Sequence, residues 1–209
     1  MTRIHLLLVL LLATLAVPFA AGDTINLTLT NLPGVANIGK VDLDQVGAGQ
    51  VQVTITANPG FSLKLQGGSV FFNTNVALTA GDIGPVTIIA GGNTFTGLSF
   101  KNFFTNMNRD GFGKFSIVLS NLIGGPKGIT SASQISFMIS ANGLTVKDLE
   151  LLNAQGHSWG VHFCAGGGTN CGPTSGFAVG GAVPEPGTLS LLGTGLVGLA
   201  GILRRRWVS

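Results

Sequence analysis

Residues 51–56 read Val51-Gln52-Val53-Thr54-Ile55-Thr56, and this stretch decides the fold. Apolar and polar side chains alternate strictly, and the apolar ones are β-branched. That period of two marks a strand with one face buried and the other in water. The same reading extends outward along the chain. Ile25, Leu27 and Leu29 alternate with Thr and Asn. Phe115, Ile117 and Leu119 alternate with Ser116 and Ser120 across Val118. Ile135, Phe137 and Ile139 alternate with Ser136 and Ser140 across Met138. Turn chemistry separates these runs: Asn58-Pro59-Gly60, Gln66-Gly67-Gly68, Gly91-Gly92-Asn93, Asp110-Gly111 and Asn142-Gly143. No useful stretch carries a 3.6-residue period. The pattern predicts an all-β fold, a single antiparallel β-sandwich or jelly-roll-like domain of about ten short strands. There is no internal repeat and no linker long enough to divide it.

Composition narrows the function classes. The chain has 209 residues, of which 9% are charged and 45% apolar. That is ample for one β-sandwich with its own core and speaks against disorder. The sequence pI of about 9.2 comes from the ends: Arg3 near the start, and Arg204, Arg205 and Arg206 near the finish. Between residues 23 and 183 seven bases face seven acids. The low charged fraction argues against a nucleic-acid partner, and the body's formal neutrality gives the expectation that long-range charge steering plays no part in binding.

The two ends read as addresses. Arg3 precedes an apolar run from Leu6 to Val17, which Pro18 closes; Ala20, Ala21 and Gly22 follow. A run this short, followed by small residues, predicts a signal peptide over 1–22 with cleavage before Asp23. At the other end Pro184-Glu185-Pro186 is followed by an uncharged segment from Thr188 to Leu203 and then by Arg204–Arg206. As a helix that segment is about 24 Å long. It is slightly short for a bilayer, and local thinning and snorkelling of the arginines close the gap. The Arg cluster belongs on the cytoplasmic side, which leaves the body outside.

Motif, short glycine-containing hydrophobic helix and terminal basic cluster, in that order, closely resemble the PEP-CTERM sorting signal of Gram-negative bacteria. The resemblance covers residues 184–209. It implies that exosortase, a membrane-embedded cysteine enzyme, processes the tail near Pro184, Glu185 and Pro186. The stretch from about residue 108 to 181 also resembles a body common among such proteins. The residues that carry this are Asp110–Leu119, Ile135–Ser140, Val161-His162-Phe163, the two cysteines and Ser175–Gly180. That second resemblance implies a β-sandwich and brings no activity. The expected organisation is therefore a signal peptide (1–22), a β-sandwich body (23–183) and a sorting signal (184–209).

The remaining motifs have bland readings. Gly156-His157-Ser158-Trp159-Gly160 matches the G-x-S-x-G nucleophile elbow, but a helix should follow it, with an acid and a histidine downstream. Here Val161-His162-Phe163-Cys164 reads as strand, and Glu185 is the only later acid. Gly193–Gly198 matches G-x-G-x-x-G, but inside the C-terminal apolar segment with no preceding strand. Cys164 and Cys171 flank a Gly-rich hexapeptide; in an exported protein they predict a disulfide, in preference to a metal site with His157 and His162. Asn106–Gly111 resembles half a calcium loop, but Ile117 stands where the bidentate Glu belongs. The pairs Asp42/Asp44 and Asp148/Glu150 read as solvated strand faces. The body has one Trp, no Tyr and many Phe, which reads as core more than as a sugar platform.

The expectation is an exported, non-catalytic protein of the cell surface or extracellular matrix, without cofactor or metal. Its expected partners are exosortase, the membrane through the C-terminal helix, and exopolysaccharide, the last from the family's association with biofilm-forming bacteria. No nucleic acid is expected. The alternative is a carbohydrate- or calcium-binding module held at the surface by an unprocessed C-terminal anchor.

Overall fold

The computed structural model describes residues 22–109 and 111–181. Residues 1–21 of the expected signal peptide, Asp110, the Pro-Glu-Pro motif, the C-terminal apolar segment and the Arg cluster lie outside the described residues.

Alternation becomes strand throughout. The strands are β1 (Asp23–Leu27), β2 (Leu29–Thr30), β3 (Gly39–Gly47), β4 (Gln50–Ala57), β5 (Phe61–Lys64), β6 (Ser69–Phe72), β7 (Val86–Ala90), β8 (Asn93–Asn108), β9 (Lys114–Ile123), β10 (Ser131–Ala132), β11 (Gln134–Ser140), β12 (Trp159–Ala165) and β13 (Ser175–Gly180). Two short 3-10 turns, Ala80–Asp82 and Val146–Leu149, are the helical segments among the described residues. In each turn a threonine, Thr79 or Thr145, is capped reciprocally by the aspartate three residues on.

All strand pairs are antiparallel, and the strands form one continuous hydrogen-bonded sheet folded into two layers. The first layer runs β1-β3-β4-β11-β7-β8; the second runs β8-β9-β6-β12-β13-β2, with β5 also on β12 and β10 on β5. β8 joins the layers, pairing with β7 up to Leu98 and with β9 from Ser99 onward. The β7–β8 hairpin needs only Gly91 and Gly92, both at positive φ, as a two-residue turn requires.

The predicted alternation builds the core. Val41, Leu43, Val51, Val53, Ile55, Ile135, Phe137 and Ile139 from the first layer are buried. Val70, Phe72, Ile117, Leu119, Val161 and Phe163 oppose them from the second. Each such side chain contributes about 1.5–3 kcal/mol by leaving water. The layers meet closely where β1 crosses β13: a Cβ on Gly180 would overlap the Asn26 carbonyl.

Leu29 departs from the pattern. The chain leaves the first layer after Leu27, and β2 pairs instead with β13 in the second layer. Leu29 is consequently 54% exposed while Leu27 is fully buried. Crossing between layers breaks the period, because the two strands have different inward sides.

Candidate functional site

The sequence-predicted residues fall into three places. Pro184, Glu185, Pro186, Arg204, Arg205 and Arg206 lie outside the described residues. The last described strand, β13, sits between β12 and β2 and ends at Gly180. The body is thus folded up to the edge of the sorting segment. Among the described residues no helix is long and apolar enough to cross a membrane; the 188–203 segment is not among them.

Cys164 and Cys171 form the predicted disulfide, with Cα atoms 5.4 Å apart. It closes the connection between β12 and β13, a short loop whose closure contributes roughly 2.5 kcal/mol through chain entropy. Both sulfurs are therefore unavailable to a metal. Among the described residues no group of three or more His, Cys, Asp or Glu side chains is placed to hold one.

The G-x-S-x-G stretch is built into the fold. Asn153 shapes the bend before it, accepting from the N–H groups of Gln155 and His157 and donating to the Phe112 carbonyl. Ser158 is fully buried, and its hydroxyl donates to the Gly180 carbonyl at 3.3 Å. Trp159 is fully buried, stacks on Phe72 at 4.5 Å, and donates from Nε1 to the Leu149 carbonyl at 2.7 Å. It offers no ring to a sugar. Gly160 lies under the Phe71 ring, which any Cβ there would strike. Burial holds His157 below the usual histidine range.

The paired acids part company. Asp42 accepts from Thr24 at 2.7 Å and pairs with Lys40 at 2.9 Å on the outer side of the first layer. Asp148 caps a 3-10 turn, and the Thr145 hydroxyl and N–H lower its pKa. Glu150 joins Asp23, the first residue of β1. Lys147 Nζ lies 2.8 Å from Asp23 Oδ2 and 2.7 Å from Glu150 Oε2. Burial, and next the hydrogen-bonded Asp23 carboxyl, push Glu150 up to about 7 despite the lysine. The two carboxylates, Asp23 foremost, hold Lys147 above the ordinary lysine range.

Sequence reasoning missed the outward side of the second layer. Phe72, Ile117 and Trp159 face the core, so their neighbours Phe71, Val118 and Gly160 face out. Phe71, Val118 and Val179 are nevertheless fully buried, in a second cluster with Phe115 and the half-buried Phe112 and Phe177. Phe71 meets Phe115 edge-on at 4.7 Å and Phe177 at 5.8 Å. The Arg109 guanidinium lies 5.9 Å from the Phe71 centroid and 5.8 Å from that of Phe177, within cation–π range. Phe71 and Phe115 are buried, as the composition predicts, but in a second cluster apart from the main core between the layers.

Beside this cluster stands a polar trio. Lys64 Nζ donates to Ser175 Oγ at 3.3 Å, and Ser175 Oγ lies 3.3 Å from His162 Nε2. The His162 ring sits 4.5 Å from that of Phe177. Their register explains the convergence: Ser175 pairs with Cys164, His162 with Phe177, and β5 lies along the other edge of β12.

Charge is also sorted between the layers. Asp23, Asp42 and Asp44 lie on first-layer strands, and Asp82, Asp148 and Glu150 belong to turns bonded to that layer through Met138 and Gln45. Lys40 and Lys147, the two lysines there, are paired with these acids. Lys64, Lys101, Arg109, Lys114 and Lys127 all belong to second-layer strands or their connecting loops. The body's remaining acid is Asp110, in the β8–β9 connection. The formally neutral body thus distributes its charges unevenly between the layers.

The family model of the PEP-CTERM protein-sorting motif matches residues 182–206, covering Pro184–Pro186 and Arg204–Arg206. The chain thus carries a PEP-CTERM protein-sorting motif, and that motif supports export and targeting to exosortase. No curated protein and no solved structure matches the chain.

Proposed function

We propose that this protein is delivered across the inner membrane, held there by its C-terminal helix and cut by exosortase beside Pro184-Glu185-Pro186. The β body then serves, without catalysis, at the cell surface or in an exopolysaccharide-rich matrix. The observation that carries the reading is the sorting motif at residues 182–206, which begins within two residues of the end of β13. The prolines fix extended backbone and remove two N–H donors, so this segment joins neither the membrane helix nor a central strand. It stays presented just outside the bilayer, with Glu185 as its charged handle. The arginines keep the helix from being drawn through. The buried Ser158, hydrogen-bonded to backbone, supports a non-catalytic body.

The test is the mature C-terminus, read by mass spectrometry from the native host. Loss of everything beyond the Pro-Glu-Pro region is expected, and Glu185→Ala or deletion of the exosortase should abolish it. An intact Ser209 in all exported molecules would make the tail a permanent anchor and sink the reading.

A further inference from the structure

We propose that the outward side of the second layer, centred on Lys64, Ser175 and His162 beside Phe177, binds carboxylated sugar units of an acidic polysaccharide. The inference deepens the surface-and-matrix reading above and rests on it. Its first support is donor geometry. The Ser175 hydroxyl stands between Lys64 Nζ and His162 Nε2, 3.3 Å from each. An ammonium, a hydroxyl and an imidazole converging within so small a span suit the two oxygens of a carboxylate, and charge-assisted hydrogen bonds are the strong ones. Among the described residues no carboxylate forms an ion pair with Lys64.

The second support is preorganisation. Ser175 is the register partner of Cys164, whose disulfide ties down the loop between β12 and β13. β12 is an interior strand, flanked by β13 on one side and by β5 and β6 on the other. A carboxylate arriving here meets donors already held in place, so little ordering entropy opposes binding. The third support is the neighbouring apolar surface. Phe177 is half-buried between His162, Phe71 and Arg109, and its ring lies alongside the polar trio. An aromatic surface beside a few convergent polar groups suits a pyranose ring, which presents C–H groups on its face and a carboxylate at its edge. The fourth support is the field. Lys64, Lys101, Lys114 and Lys127 belong to this layer, and they draw in a polyanion while the acidic first layer repels it.

The experiment is calorimetric titration of the full chain in neutral detergent at low salt. The probes are oligogalacturonate, a neutral maltooligosaccharide of equal length, and inorganic phosphate. Oligogalacturonate should bind, weakening as salt rises. Lys64→Gln and Ser175→Ala should each weaken it by about tenfold, the scale of one charge-assisted contact, with thermal unfolding unchanged. Absence of binding, equal binding of the neutral oligosaccharide, or full affinity in both variants would overturn the proposal. So would phosphate binding as tightly as the oligosaccharide, which would reduce the site to a free-anion contact. Sedimentation under the same conditions guards against the other reading of a polarised body: head-to-tail self-association that uronate does not disperse would also overturn it. A chain correctly processed in its host but blind to uronate fails this inference and leaves the sorting reading standing. An unprocessed chain that binds uronate does the reverse.

Discussion

Gly160 shows how much one residue can decide. It pairs with Phe71 on one side and Val179 on the other, and the Phe71 ring lies across it. Gly160→Ala should cost about 1–3 kcal/mol, the usual range for overpacking a filled site. The check is the urea midpoint, and an unchanged midpoint would mean that the ring moves freely. Glu150 makes a second residue-scale case, through pH. Its pKa is raised from 4.5 to about 7 in the fold, so the folded state holds this proton more tightly than the unfolded chain. The stability it contributes is fully present below pH 4.5 and is lost as pH rises through 7. Wild-type stability relative to Glu150→Gln should therefore fall between pH 5 and pH 8. His157 works in the opposite sense, since its lowered pKa costs stability below the ordinary histidine value, but it is common to both proteins and cancels in the difference. A pH-independent difference would show that Asp23 and Lys147 leave Glu150 ionised throughout.

At the scale of elements, β1 and β2 carry the lesson. Ile25, Leu27 and Leu29 look equivalent in the sequence, yet the layer change at Thr28 separates the third from the others. Leu27→Ala should cost about 2–5 kcal/mol, whereas Leu29→Ala should stay within about 0.5 kcal/mol. Thermal unfolding of the two variants tests the register, and equal losses would contradict it. The β12–β13 pair shows the reverse case, in which local sequence sufficed. Two cysteines across a Gly-rich connection need only a short hairpin to meet, and export supplies the oxidising compartment. The G-x-S-x-G stretch runs into strand β12, as its flanks suggested.

For the whole molecule, polarity is the property with consequences. A body with seven bases and seven acids should pass a cation-exchange column near neutral pH if its charges were mixed. With the cations gathered on one layer, residues 23–183 should be retained at low salt and eluted by modest salt. Loss of retention in a Lys64→Gln, Lys114→Gln variant would tie the effect to that layer. Passage of the unmodified body without delay would refute the polarisation, provided its circular dichroism is of β type.

The sequence by itself determined the class of fold, the turns, the disulfide and the sorting address. Each of these depends on residues near one another in the chain: alternation along a strand, glycines where φ must be positive, two cysteines seven apart, and a motif read in linear order. Only the tertiary structure decided which strands share a layer. From that follow the exposure of Leu29, the outward aromatic cluster around Phe71, the meeting of Lys64 with Ser175 across 111 residues, and the sorting of charge between faces. The physical reason is that an alternating strand declares that it has two sides, while pairing and layer order decide what each side meets.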